Sequence, residues 1–323
     1  MEGLVTFDAH LSRFTPADWA TAVETLAPEI HPIDLDATRI WCAFYPLALH
    51  LALAEAAPDA RPALERKLGL MGKWRLEEHI DTSHTFLYGH RYWPQTKRAI
   101  LAIATEATFP AALPEIITQV ADRVSRTSSV DRDQLIGISI AGLMTVRQCG
   151  IDKFERGSGV VQLPMHVEAR SIRQVLRRRR LQRSQGLFGF LRGGKKRFRM
   201  TFDENAPDAT FEVIAGQDIA SGAQSDKRDY RATDSRCIPG EGPIPVECRA
   251  ASCGTCWIGV LAGADRIAPI DPADEGKRLN VFGYPPARSA SGAPLIRLAC
   301  QARPDGDVTF VIPPWNGIIG KII

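Results

Sequence analysis

Apolar residues in the first half of the chain recur three or four positions apart, which is the spacing of a helix with one buried face. No alternating apolar–polar run of strand length occurs before residue 158. We therefore predict an all-α bundle over residues 1–169. Caps, prolines and glycines predict its helices at 37–57 after a cap at Asp36, at Arg61–Leu70, and at 97–107, 114–125 and 131–148.

The pattern changes at Phe198, after which short runs of apolar residues are separated by glycine, proline, asparagine and aspartate. The block 198–323 is therefore predicted to be an α+β domain with a helix within 216–223. Its predicted strands are 199–202, Thr210–Ile214, 257–261 and 308–312.

The formal net charge of +3 is unevenly distributed along the chain. Residues 1–169 carry −5, residues 198–323 carry −3, and the connector between them carries +11 with no acidic residue. This connector begins at Arg170 and ends at Arg197, and we predict a short basic helix followed by a flexible, glycine-rich segment. The chain thus divides into a helical docking domain at 1–169, a connector at 170–197 and a second domain at 198–323.

The basic connector has several functional interpretations. Docking on an acidic partner protein or on the chain's own acidic domain ranks first. Anionic lipid headgroups rank second, since each lysine or arginine near a membrane surface contributes about 1 kcal/mol at most. Nucleic acid is disfavoured because the flanking blocks are acidic and no nucleic-acid-binding module is recognised. The alternative is a solvated linker helix that packs on the acidic N-terminal domain.

The first residues lack a basic segment followed by an apolar core, so no secretory signal is predicted. No run of about 18 uninterrupted apolar residues occurs, and the apolar stretches 42–57 and 135–146 are interpreted as buried core helices. The seven cysteines are odd in number and four of them cluster late, which favours metal ligation over disulfides. We expect a cytoplasmic protein, with peripheral attachment at the cytoplasmic face of a membrane as the alternative.

Four of the cysteines form the pattern Cys248-x4-Cys253-x2-Cys256, and Cys300 follows after 43 further residues. A [2Fe-2S] cluster needs four thiolates, and this spacing is the plant-type pattern. The small residues between the cysteines let backbone N–H groups point at the sulfur atoms and stabilise negative charge. A structural zinc site is the alternative, but zinc sites usually use two paired Cys-x2-Cys knuckles. The remaining cysteines are expected to be small buried hydrophobic residues, namely Cys42, Cys149 and Cys237.

The sequences ECRAASCGTCWIGVLAG and RLACQARPDGDVTFVIP resemble the plant-type [2Fe-2S] ferredoxin domain, over roughly residues 197–315. The resemblance implies a β-grasp fold, with a mixed sheet of four or five strands and one main helix. It also implies that Cys248, Cys253, Cys256 and Cys300 are the iron ligands. The loop around the cluster would consist of Arg249, Ala250, Ala251, Ser252, Gly254 and Thr255.

The chain departs from this family pattern at several places. Ala251 stands where the family usually has glycine. The long gap before Cys300 implies an insertion around residues 276–291, and a second extra stretch occupies 226–245. We expect these departures to affect which partner protein binds more than whether the cluster binds.

No dinucleotide-binding glycine motif and no P-loop occurs in the sequence, so only one redox centre is predicted. We therefore favour a low-potential, one-electron carrier that exchanges electrons with a donor and an acceptor protein and is not an enzyme on its own. The first alternative is an iron–sulfur subunit of a membrane-associated redox complex. The second is that the helical domain is a redox enzyme or sensor served by the cluster.

His79, His84 and His90 form a second candidate group, but their spacings of five and six residues do not place them on one helical face. We interpret this stretch as a packing element with polar partners for its aromatic residues, and a metal or haem site is the alternative. The apolar residues near the end of the sequence are expected to pack on the helical domain of the same chain or on another subunit. They are Trp315, Ile318, Ile319, Ile322 and Ile323.

Overall fold

A computed structural model of the protein describes residues 6–161, 163–181, 196–284 and 286–316. The predicted flexible segment of the connector at 182–195 and the four isoleucines at 318–323 lie outside these residues. The chain divides into two compact units, each made of two separate stretches. The first unit combines Met1–His50 with Arg75–Arg170, and the second combines Leu51–Trp74 with Ser171–Ile323.

Helices dominate the chain up to residue 181. In chain order they are α1 Phe7–Leu11, α2 Pro16–Leu26, α3 Leu35–Phe44, α4 Leu47–Glu55, α5 Arg61–Leu70, α6 Trp93–Ala104, α7 Leu113–Ser128, α8 Asp133–Cys149, α9 Ile151–Arg156, α10 Met165–Glu168 and α11 Ile172–Leu181. Of these, α5 and α11 belong to the second unit, and the boundary between the units falls inside α4.

The core of the first unit is built around α8, which is buried along its whole length from Leu135 to Val146. Helices α3, α6 and α7 pack against it. Each large apolar side chain that is fully buried contributes about 1.5–3 kcal/mol. The structure therefore has helices where the apolar periodicity predicted them over this core, with ends that differ by a few residues.

The predicted helix at 37–57 is wrong as a single element. The structure has α3 and α4 instead, separated at Tyr45 and Pro46, because proline has no N–H group to donate within a helix. Among the described residues, the combined stretch Leu35–Glu55 is long and apolar enough to cross a membrane, with a mean hydropathy of 1.2. This is weak evidence for a membrane span, because 61% of the stretch is buried and core helices of soluble proteins meet the same criterion.

The second unit contains a mixed five-stranded sheet. Its elements are β1 Arg197–Thr201, β2 Thr210–Ile214, α12 Ile219–Ala223, β3 Trp257–Ala262, a π-helical turn at Pro272–Gly276, α13 Lys277–Phe282, β4 Ile296–Leu298 and β5 Val308–Val311. The strand order is β2-β1-β5-β3-β4, in which β1 and β5 are parallel and the other neighbours are antiparallel. The mixed sheet agrees with the one that the sequence resemblance implies.

The segment Leu51–Trp74 lies with this second unit and not with the helical block to which the sequence assigned it. Lys73 N donates to Pro314 O at 2.9 Å, and Asn316 N donates to Met71 O at 2.8 Å. Between these two bonds, Gly72 pairs with Trp315, whose side chain is fully buried. Backbone pairing of this kind joins positions far apart in sequence, and no local pattern reveals it.

From Ser171 onwards, the described part of the basic connector also belongs to the second unit, whereas Arg170 belongs to the first. Arg179 of α11 makes a bidentate ion pair with Glu204, with N···O distances of 2.9 and 2.7 Å. Glu204 lies in the turn between β1 and β2. The carboxylate in this ion pair belongs to the C-terminal block, and packing of the helix on the acidic N-terminal domain stays a prediction.

Candidate metal centre

Cys248, Cys253 and Cys256 lie on one loop that leads directly into β3. Within this loop, Arg249 and Ala251 have φ angles of 55° and 52°. Residues other than glycine rarely adopt this left-handed conformation, which costs on the order of 1–3 kcal/mol each. The angle at Ala251 explains why glycine is usual at that position of the family pattern.

The coiled loop directs backbone N–H groups at the Cys248 sulfur atom. The donors are Ala250 N at 3.4 Å, Ser252 N at 3.3 Å and Cys253 N at 3.3 Å. Burial would raise the pKa of the Cys248 thiol, but hydrogen bonds from Ser252, Ala250 and Cys253 outweigh it and lower this pKa to about 6. The loop is therefore built to hold a thiolate at Cys248.

The sheet brings Cys256 and Cys300 together. Cys256 directly precedes β3, Cys300 follows β4, and the antiparallel register pairs Trp257 with Leu298. Ala299 N also donates to Cys256 O at 2.8 Å. A hydrogen bond between the two thiols raises the pKa of Cys256 and lowers the pKa of Cys300 to about 7.

Side-chain hydrogen bonds thus link Cys248 with Cys253 and Cys256 with Cys300. Among the residues that the structure describes, no three histidine, cysteine, aspartate or glutamate side chains gather around a position for one metal ion. A tetrahedral zinc site needs four ligands around one ion, whereas a [2Fe-2S] cluster needs two thiolates on each of two irons. The plant-type spacing of the cysteines and the N–H groups directed at sulfur fit the cluster.

Comparison with known proteins identifies a relative of this chain. A curated protein described as "Ferredoxin, plant-type", from Pseudomonas putida, is 36% identical over 101 residues. The match covers 31% of this chain and 74% of that protein. The chain belongs to the plant-type ferredoxin family. No protein-family model matches the chain, and no solved structure matches it.

The resemblance that the cysteine motifs predicted is therefore confirmed, and the remainder of the chain is additional to the ferredoxin part. The insertion predicted around residues 276–291 begins where the π-helical turn ends and contains α13 and the segment that follows it, and its status as an insertion stays a prediction. Three residues that the sequence analysis did not single out lie against the cysteine loop. They are Arg278 and Tyr284 of the insertion and Asn316, which follows β5. The only sequence signal for Arg278 and Tyr284 is that both lie in the predicted insertion, which separates the third cysteine of the motif from the fourth.

The candidate histidines lie in the first unit. His84 and His90 are buried and meet through their Nδ1 atoms at 2.8 Å, and His84 packs on Trp93 with ring centroids 4.1 Å apart. The indole Nε1 of Trp93 donates to Asp81 at 2.7 Å. Within the described ranges this region holds no group of three metal-ligating side chains. The interpretation as a packing element agrees with these contacts.

Acid is expected to destabilise the first unit through these histidines. Burial lowers the pKa of His90 to about 4 and lowers that of His84 well below its ordinary value of 6.5. Their neutral forms therefore stabilise the fold fully above about pH 6.5, and this stability is lost as the pH falls towards 4. The change for His90 alone is about 3 kcal/mol, at 1.36 kcal/mol per pKa unit.

Urea unfolding of the full chain, followed by tryptophan fluorescence and circular dichroism at pH 7, 5.5 and 4.5, measures this loss. The variant His90→Gln should show a smaller dependence on pH, even if its stability at pH 7 is lower. The matched control His166→Gln alters an exposed histidine and should leave the dependence unchanged. Equal pH dependence in all three proteins would contradict the prediction.

Proposed function

We propose that this chain carries single electrons through a [2Fe-2S] cluster bound by Cys248, Cys253, Cys256 and Cys300. Its membership of the plant-type ferredoxin family supports this proposal most directly. The two thiol pairs of the second unit support the choice of ligands. When bound, the cluster supplies one-electron Fe(III)/Fe(II) chemistry at a low potential, about −400 mV in plant-type ferredoxins.

The residues of the chain have distinct parts in this function. Because the pKa values of Cys248 and Cys300 are lowered, thiolates are available near neutral pH for binding iron. Because backbone N–H groups point at sulfur, they stabilise the additional negative charge of the reduced state. Cys256 and Cys300 adjoin the paired strands β3 and β4, which fix the positions of their backbones relative to each other.

Docking of a redox partner by the helical unit stays a prediction. Among the described residues the helical unit exposes two large apolar side chains, Val160 and Met165, and the second unit exposes three, Leu70, Ile238 and Val281. Apolar groups that remain exposed often mark protein-interaction sites, although single ones are common. The identity of the donor and the acceptor, the cytoplasmic location, and the membrane-associated and enzymatic alternatives stay predictions.

The direct test is the composition of the protein purified without oxygen. It should contain about two irons and two acid-labile sulfides per chain. Its EPR spectrum should be silent as isolated and show one unpaired spin per chain after reduction with dithionite. Zinc in place of iron, or an intact fold without any metal, would contradict the proposal.

A further inference from the structure

The cysteine loop is held by hydrogen bonds between its own residues and also by hydrogen bonds from side chains outside the loop. Three of its backbone carbonyl groups accept hydrogen bonds from side chains that lie elsewhere in the sequence of the second unit. The bonds run from Arg278 Nε to Ala251 O at 2.7 Å, from Tyr284 Oη to Gly254 O at 3.3 Å, and from Asn316 Nδ2 to Thr255 O.

The first of these bonds acts on the peptide group between Ala251 and Ser252. The C=O and N–H of a trans peptide point in opposite directions. Since Arg278 holds the carbonyl of Ala251 outwards, the N–H of Ser252 is directed inwards, where it donates to Cys248 Sγ at 3.3 Å. A side chain of the insertion therefore fixes one of the N–H groups that face sulfur.

The second bond repeats this arrangement at the next cysteine. Tyr284 holds the carbonyl of Gly254, and the N–H of the same peptide belongs to Thr255, which donates to Cys253 Sγ at 3.4 Å. The Tyr284 ring is itself fixed against Trp257, with ring centroids 4.2 Å apart.

The positive φ of 73° at Gly254 keeps this turn tight. A Cβ atom at Gly254 would lie 2.3 Å from the Phe282 ring, so the insertion covers this part of the loop closely. Such cover excludes water from the peptide that Tyr284 holds.

The third bond comes from a different part of the unit. Asn316 holds the carbonyl of Thr255, whose peptide carries the N–H of Cys256. Asn316 in turn donates its own N–H to Met71 O at 2.8 Å, and Arg236 donates to the same carbonyl at 3.0 Å. The segment Leu51–Trp74 thereby reaches the cysteine loop through one intervening residue.

We infer that Arg278 and Tyr284 are positioning residues that tune the cluster by orienting the loop peptides, so that the N–H groups of Ser252 and Thr255 face the sulfur atoms. This role presupposes the cluster of the proposed function. Weaker N–H···S bonds stabilise the reduced cluster less, because reduction adds negative charge to the cluster and its sulfur atoms. Removing an outer bond should therefore make the reduction potential more negative and shorten the lifetime of the cluster in air.

Tyr284→Phe is the decisive variant, since it removes one hydroxyl group, leaves the net charge unchanged and keeps the ring that packs on Trp257. Its matched control is Tyr230→Phe, which removes a hydroxyl group that donates to Asp226 at 2.6 Å. Arg278→Met is compared with Arg288→Met, because Arg288 lies in the same insertion but donates to Gly292 O at 2.8 Å. Arg278→Lys separates the effect of positive charge from that of the directed hydrogen bond.

The readouts are the midpoint potential by spectroelectrochemistry, the EPR g-values of the reduced protein and the rate of loss of visible absorbance in air. For Tyr284→Phe and Arg278→Met we expect the reduction equilibrium to shift about threefold to tenfold towards the oxidised state, where tenfold corresponds to 59 mV for one electron. The controls should retain the wild-type potential and g-values. Arg278→Lys should recover only part of the shift.

Each outcome bears on a different proposal. Wild-type protein without iron and sulfide would overturn both the proposed function and this role. A wild-type cluster whose potential and g-values are unchanged in Tyr284→Phe and Arg278→Met would overturn the positioning role alone. Full recovery by Arg278→Lys would show that charge, and not orientation of the Ala251 carbonyl, explains the effect at that residue.

Discussion

The variant Cys300→Ala is expected to purify without the cluster and to lack the visible absorbance and the EPR signal of the wild-type protein. Cys300 supplies one of the two sulfur atoms of its pair, and Cys256 cannot complete that pair alone. Changes next to metal ligands already cost about 10- to 100-fold in metal affinity, so loss of a ligand should cost more. Iron and acid-labile sulfide per chain are the measurements that show this loss.

Cys237→Ala is the matched control, because Cys237 is also a buried cysteine of the second unit. Its thiol donates to Pro243 O at 3.3 Å, and burial raises its pKa to about 12, so it stays protonated. This variant should keep its iron and sulfide. A complete cluster in Cys300→Ala, or loss of the cluster in Cys237→Ala, would show that the assignment of ligands is wrong.

The second large effect is expected at the ion pair between Glu275 and Arg297. Both side chains are only 1% exposed, and the carboxylate accepts two bonds from the guanidinium at 2.9 Å and one from Leu298 N at 2.7 Å. Removing one partner of a buried pair leaves an uncompensated charge, which costs about 3–5 kcal/mol. Glu275→Ala should therefore lower the free energy of unfolding of the second unit by this amount.

Urea unfolding of the full chain measures the change, and two further variants sharpen the result. Glu212→Ala breaks an exposed ion pair with Arg197, and its effect should stay within about 1 kcal/mol. The double variant Glu275→Met with Arg297→Met removes both charges and should recover much of the stability. A loss in Glu275→Ala no larger than in Glu212→Ala would refute the role of the buried pair.

This pair also connects the turn that precedes α13 to the strand that leads to the candidate metal centre. Glu275 lies in the π-helical turn that leads into α13, and Arg297 lies on β4, three residues before Cys300. Glu275→Ala should therefore also accelerate loss of the cluster, which distinguishes it from a change that affects stability alone.

Local signals in the sequence predicted much of the architecture. The bounds of α5 and β2 agree with their predictions, because proline, glycine and apolar spacing mark the ends of both elements. Two helices near the start, α1 and α2, were not predicted. The capping box of Thr15 and Asp18 is the local signal in the sequence that marks the start of α2. The split between α3 and α4 was likewise visible at Pro46.

The candidate site was predictable only in its local part. The cysteine spacing is a property of a short loop, and its resemblance to the family pattern is enough to predict the iron ligands. The contacts of Arg278, Tyr284 and Asn316 with that loop depend on how distant segments fold back, and side-chain type alone does not reveal this. The alanine at position 251 does not itself indicate a left-handed angle, and the only signal for it is the glycine that the family pattern usually has there.

Neither compact unit is a continuous piece of the chain, and this affects when the second unit can finish folding during synthesis. During synthesis Leu51–Trp74 leaves the ribosome long before Trp315, so the ferredoxin unit cannot complete its pairing at Gly72 until nearly the whole chain has emerged. A fusion that transplanted residues 171–316 alone would leave Trp315 without this partner. No single cut of the chain separates the two units, since each is made of two separate stretches.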